Sequence, residues 1–182
     1  NNLGLVYQKM QEYEKAIFYH NKSIKLKKDY FEAYNNLGII YNFKGNFSKS
    51  KNNFKKAILI NSNFAEAFNN LGAIIYENYF KNDPNPNNIY KAIKYLKKAT
   101  EINPNYAEAY ENLANCYYTL KKYIVAIKYF KVSSEIKPLD SNSAKYLIKS
   151  FKNEGLINDA YEFLEKETKH YGNETINVNY TS

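Results

Sequence analysis

Twenty-six lysines, no arginine and 18 acidic residues give this 182-residue chain a formal charge of +8. The missing arginine argues against specific nucleic-acid binding, because arginine is the side chain that grips phosphate and guanine at two points at once. A single cysteine rules out an internal disulfide and fits a reducing, cytoplasmic or nuclear setting. No apolar run approaches the roughly 18 residues that a membrane helix needs.

In chain order, one phrase keeps returning. It opens truncated as Asn1-Asn-Leu-Gly-Leu-Val-Tyr7 and recurs as Phe31-Glu-Ala-Tyr-Asn-Asn-Leu-Gly-Ile-Ile-Tyr41. It returns as Ala65-Glu-Ala-Phe-Asn-Asn-Leu-Gly-Ala-Ile-Ile-Tyr76 and Ala107-Glu-Ala-Tyr-Glu-Asn-Leu-Ala-Asn-Cys-Tyr117. The leucines Leu3, Leu37 and Leu71 are 34 residues apart, as are Leu113 and Leu147, whereas Leu71 and Leu113 are 42 apart. A small residue follows each leucine by 13 positions at Ala16, Ser50, Ala126 and Ala160; at Ala92 it comes eight positions later than that. The period predicts helix-turn-helix units at 1–30, 31–64, 65–106, 107–140 and a divergent or capping unit at 141–170. An insertion falls at 77–88 and a mobile tail at 171–182.

In the first unit the spacing predicts a first helix to about Met10 and a second over Tyr13–Leu26. The next pair runs from Phe31 to about Lys44 and over Phe47–Ile60, with a turn at Gly45-Asn46. Asn1 falls inside a first helix that lacks its opening turn, so an excerpt of a longer chain is expected. In the third unit the first helix extends to about Lys81. The prolines at Asp83-Pro and Asn85-Pro then mark a loop, and Asn88 is placed to cap a helix beginning near Ile89. Such a loop reads first as a tolerated polar insertion and second as a clamp over a bound peptide. Pro104 and Pro138 follow second helices, where a residue unable to continue a helix is useful. Gly4, Gly38, Gly72 and Ala114 share the column where the two helices of a unit come closest. The fifth unit puts Ile148 there and Ala144 at the aromatic column, while its last helix carries a polar outer face that suits a cap.

These residues resemble the tetratricopeptide repeat family: Tyr34, Leu37, Gly38, Tyr41, Ser50, Phe54 and Ala57 in one unit, and Tyr110, Leu113, Ala114, Tyr117, Ala126, Phe130, Ser133 and Pro138 in another. The resemblance implies an all-α, right-handed superhelical solenoid of about five units whose first helices line an inner groove. A scaffold that binds a protein or an extended peptide in that groove is the function it implies.

Helical spacing leaves positions 2, 5, 6, 9, 12 and 13 of each unit on the groove face. One column is uniform: Asn2, Asn36, Asn70 and Asn112. A carboxamide both donates and accepts, so a row of them can bond the backbone of an extended peptide whatever its side chains. The alternative is that the amides only brace neighbouring helices. Beside the column lie Asn35, Asn69 and Asn115, and Glu32, Glu66 and Glu108 put negative charge along one rim. The same face includes Gln8, Asn42, Tyr76, Glu77, Glu111 and Thr119. This row is similar to the asparagine ladder in the repeat arm of O-GlcNAc transferases, which implies a second reading: the substrate-binding arm of a glycosyltransferase whose catalytic region is elsewhere. Self-association within a multisubunit assembly is a third. The positions at which related domains hold a terminal carboxylate with lysines are occupied here by Asn35 or Glu111, which argues against a carboxylate clamp.

The lysines gather on second helices, as at Lys49, Lys51, Lys55 and Lys56, or Lys91, Lys94, Lys97 and Lys98, and are expected to coat the outside. Neither His20 nor His170 lies at a spacing that assembles a catalytic triad, and no His/Cys pairing suggests a metal. No cofactor, metal or enzymatic activity is expected of this segment. His20 shares a column with Phe54, Leu96 and Phe130 and reads as a packing residue. Cys116 reads as a small core residue.

Overall fold

The computed structural model describes residues 2–171, with side chains to residue 166. It contains α1 (Asn2–Lys9), α2 (Tyr13–Leu26), α3 (Phe31–Phe43), α4 (Phe47–Ile60), α5 (Ala65–Lys81), α6 (Pro86–Ile102), α7 (Ala107–Thr119), α8 (Tyr123–Ile136), α9 (Ser141–Asn153) and α10 (Ile157–Tyr171). No strand occurs among the described residues, and none of these helices is long and apolar enough to cross a membrane. The chain is an all-α solenoid. Each odd-numbered helix pairs with the even-numbered helix after it, and each even-numbered helix packs on the next odd one. The odd-numbered helices from α3 to α9 also touch in succession and so form one wall.

Pairing is close because the small columns meet. A Cβ built on Gly38 would lie 2.5 Å from the Phe54 ring, and one on Gly72 would lie 2.6 Å from Leu96 Cγ. Gly4 stands in the same relation to the His20 imidazole at 2.6 Å. The small anchors Ala16, Ser50, Ala92 and Ala126 are fully buried. The last pair departs from this pattern: Ile148 occupies the close-approach column and Ala160, the matching anchor, is only half-buried.

In every unit but the third, the turn between the two helices uses one left-handed residue. Gly45 and Gly155 supply it at φ +71° and +72°, and Gln11 and Lys121 adopt φ near 60° at the matching positions. Two of the turns between units use asparagine instead. Asn61 Oδ1 accepts from the Asn63 amide at 3.0 Å, and Asn103 Oδ1 accepts from the Asn105 amide at 3.1 Å. Asp140 caps α9 by accepting from the amides of Asn142 and Ser143, each at 2.8 Å.

In the third unit α5 ends at Lys81, where the spacing puts it, but the loop expected from there to Asn88 is shorter. Its two helices are 17 residues each, against 13 and 14 in the second unit. Four inserted residues thus lengthen α5, three lengthen α6, and one enlarges the turn, now Asn82–Asn85. α6 begins at Pro86, not near Ile89, and its cap is Asn85, whose Oδ1 accepts from the Asn87 amide at 3.0 Å; Asn88 is not the cap. Proline at the first helical position has no amide to leave unsatisfied and a φ already suited to the helix, so it starts α6 instead of blocking it. Asn88 Nδ2 ties the turn by donating to Asp83 Oδ2 at 2.7 Å and to the Asp83 carbonyl at 3.2 Å. Of the tail expected at 171–182, Tyr171 ends α10 and the remainder lies outside the described residues.

Candidate functional site

The wall of odd-numbered helices carries the asparagine column, and two of its four amides are tied across units. Asn70 Nδ2 donates to Asn35 Oδ1 at 3.1 Å, and Asn112 Nδ2 donates to Asn69 Oδ1 at 2.9 Å. Position 6 of one unit therefore bonds position 5 of the unit before it. Asn69 Nδ2 continues the chain to the Tyr106 hydroxyl at 3.4 Å. Burial pushes that hydroxyl's pKa up to about 12, so it stays neutral and able to accept.

The candidate residues separate on this geometry. Asn35 and Asn69 are 4% and 6% exposed, so they are buried in the joints between units instead of lining an open groove. Packing of one odd-numbered helix on the next covers position 5, which the spacing within a single helix does not reveal. Asn36, Asn70, Asn112 and Asn115 are half-buried, and Asn2 is exposed. Glu32, Glu66 and Glu108 all lie in the first turn of their helices, Glu32 half-buried and the other two exposed. Negative charge there suits the positive end of the helix dipole. Glu108 is held below the usual carboxylate range, first by its own backbone amide and then by Lys137 Nζ at 3.2 Å.

A second level of ties runs near the other end of the same helices. Asn42 Nδ2 donates to Glu77 Oε2 at 3.3 Å. One unit on, the Tyr76 hydroxyl meets Thr119 Oγ1 at 2.7 Å and donates to the Asn115 carbonyl at 3.2 Å. The Asn42–Glu77 and Tyr76–Thr119 pairs join position 12 of one unit to position 13 of the next. The regular spacing placed every one of these residues on the face, but the offset of one between partners was the unused signal.

At the last joint the pattern changes. Glu111 takes the place of Asn35 and Asn69, and Ser143 Oγ donates to its Oε2 at 3.1 Å. Burial pushes the Glu111 carboxyl above its ordinary range. Tyr146 replaces the column asparagine, its ring 4.7 Å from that of Tyr118.

The wall also keeps unmet acceptors. The side-chain carbonyls of Gln8, Asn42 and Asn115 are shielded and have no hydrogen-bond partner among the described residues. Asn70 and Asn112 each commit one N–H to a joint, which leaves a second N–H and the carbonyl oxygen uncommitted.

Other chemistry-bearing groups are placed as packing. His20 and Cys116 are fully buried. Among the described residues no three His, Cys, Asp or Glu side chains are grouped to hold a metal ion. Tyrosines on the packing columns stack, as in Tyr117 on Tyr129 at 5.5 Å, and lysines of the even-numbered helices lie over ring faces, as in Lys49 over Tyr41 at 5.2 Å.

Family models described as tetratricopeptide repeat match residues 1–30, 31–64 and 95–128, together more than half of the chain. Comparison with curated protein sequences gives no match. Among solved structures, MamA is 24% identical with a TM-score of 0.74, the match covering 92% of this chain and 96% of that one. PilW, described as a widely conserved type IV pilus biogenesis factor, is 23% identical with a TM-score of 0.73, covering 92% and 74%. YrrB, described as having an unusual peptide-binding site, is 21% identical with a TM-score of 0.69, covering 95% and 85%. These likenesses concern the fold.

Proposed function

Since the chain belongs to the tetratricopeptide repeat family, we propose that it is a protein-interaction scaffold whose wall of odd-numbered helices holds an extended polypeptide segment. One observation carries this reading: hydrogen-bonding capacity is left unmet on that wall at repeat spacing. Asn70 and Asn112, at the same position of successive units, each retain an N–H and an oxygen. The backbone of an extended segment presents alternating N–H and C=O groups that meet such a surface without regard to side chains.

The bracing bonds also favour this role. They fix the amide planes of Asn70 and Asn112 before anything binds, so less side-chain freedom is lost on binding. Glu66 and Glu108 at the rim favour segments that are neutral or basic.

The test is site-specific photo-crosslinking in a lysate of the source cell. A benzoylphenylalanine at Ala73, on the wall, is expected to form adducts that one at Lys98, on an even-numbered helix, does not. Replacing Asn36, Asn70 and Asn112 with alanine should reduce the Ala73 adducts at a temperature where the protein remains folded. Adducts at Lys98 alone would overturn the reading.

A further inference from the structure

Under the lengthened α5–α6 hairpin lies a cleft of about 890 Å³, on the side of the even-numbered helices. It exists because α5 and α6 run past the α3–α4 turn, so that Asn78, Asn82, Asp83 and Asn88 overhang Lys44–Ser48. Its floor is apolar: Phe47, Ile74, Ile75 and Tyr95 come from one core cluster. Its walls are basic, with Lys51 and Lys55 on α4 facing Lys91 and Lys94 on α6. Those four side chains are exposed and have no ion-pair, hydrogen-bond or ring partner among the described residues. Lys44, at the edge, is already paired with Glu14. Asp83 is the carboxylate in the lining, and it accepts from Asn88 at 2.7 Å. The positive end of the α4 dipole, at Phe47 and Ser48, adds to the same field.

We infer that this cleft is a docking site for an acidic polypeptide segment that carries an aliphatic or aromatic side chain. Four lysines without counter-charge around one recess repel one another, and a run of carboxylates relieves that repulsion. The floor decides between an acidic peptide and a nucleic acid. Half-buried Ile75 offers aliphatic surface for a Leu or Phe side chain, whereas single-stranded nucleic acid is held by open aromatic faces on which bases stack. The Phe47 ring has Lys81 Nζ 5.6 Å from its centre, so that face is taken. The site is separate from the wall of odd-numbered helices, and either can fail without the other.

The probe is a fluorescein-labelled peptide, Asp-Glu-Leu-Asp-Glu-Phe-Glu-Asp, titrated with the full chain at low salt and followed by anisotropy. The cleft variant carries Lys51→Gln, Lys55→Gln, Lys91→Gln and Lys94→Gln. The control variant loses the same charge elsewhere through Lys22→Gln, Lys25→Gln, Lys128→Gln and Lys145→Gln, all exposed. The dissociation constant is expected to rise about tenfold or more in the cleft variant and less than about twofold in the control. If the fourfold variant loses helicity, Lys91→Gln with Lys94→Gln carries the comparison. Equal weakening in both variants, or no binding by the native chain, would overturn the assignment. So would undiminished binding of a peptide with serine in place of Leu and Phe, or displacement of the probe by oligothymidylate as readily as by unlabelled peptide.

Discussion

Two buried hydroxyls show how much a single partner decides. Ser133 donates to the Ala107 carbonyl at 3.0 Å and so ties α8 to the start of α7. Ser50 is equally buried, but its Oγ has no partner among the described residues. The units around it use alanine at that anchor: Ala16, Ala92 and Ala126. Ser50→Ala is therefore expected to raise the free energy of unfolding by about 1 kcal/mol, and Ser133→Ala to lower it by a similar amount. Urea titrations of both variants would check the opposite signs, and a loss in both would mean that Ser50 bonds something after all. The asparagines teach the same lesson. Their column was legible in the sequence because spacing alone places position 6 on one face. Their bonding was not, since it depends on which residue of the neighbouring unit stands opposite. The adjacent pairs Asn35-Asn36 and Asn69-Asn70 held the clue, one residue serving each joint.

Helix boundaries were legible wherever the repeat kept its length. The second helices of the first two units run over Tyr13–Leu26 and Phe47–Ile60, as the spacing predicts. The start of the third unit's second helix was misread because Asp83-Pro and Asn85-Pro look like breakers from either side. Proline blocks the interior of a helix, yet it fits the first position of one, and a sequence window does not distinguish the two until the cap is identified. Asn85 is that cap. Asn85→Ala should cost about 1 kcal/mol, whereas Asn88→Ala removes exposed bonds within the turn and should cost less. Thermal unfolding of the two variants side by side would check the order. A larger loss from Asn88→Ala would mean that the turn, not the cap, holds α6 in place.

A stacked array unfolds from its weakest interface, because each unit is supported only by its neighbours. The pH response should therefore be local. Burial pushes the pKa of His20 down to about 4 from an ordinary 6.5, so the folded first unit rejects a proton that the unfolded chain accepts. The stability that neutral His20 permits is fully present above about pH 6.5 and is lost progressively as the pH falls towards 4. Hydrogen exchange at pH 5 and pH 7 is expected to show α1 and α2 losing protection relative to α7 and α8 in acid. His20→Phe, which installs the residue found at Phe54 and Phe130, should abolish that difference. Uniform loss of protection along the chain would point to general charge effects instead.

The eight extra residues in α5, α6 and their turn have a further consequence for symmetry. Equal units would offer a long ligand several equivalent placements, each displaced by one repeat, and a mixture of registers would result. Lengthening one hairpin removes that degeneracy, since the units before and after it are no longer interchangeable. A ligand that reached both the asparagine column and the overhang would find a single alignment, with the irregular unit as the origin from which positions along the array are counted.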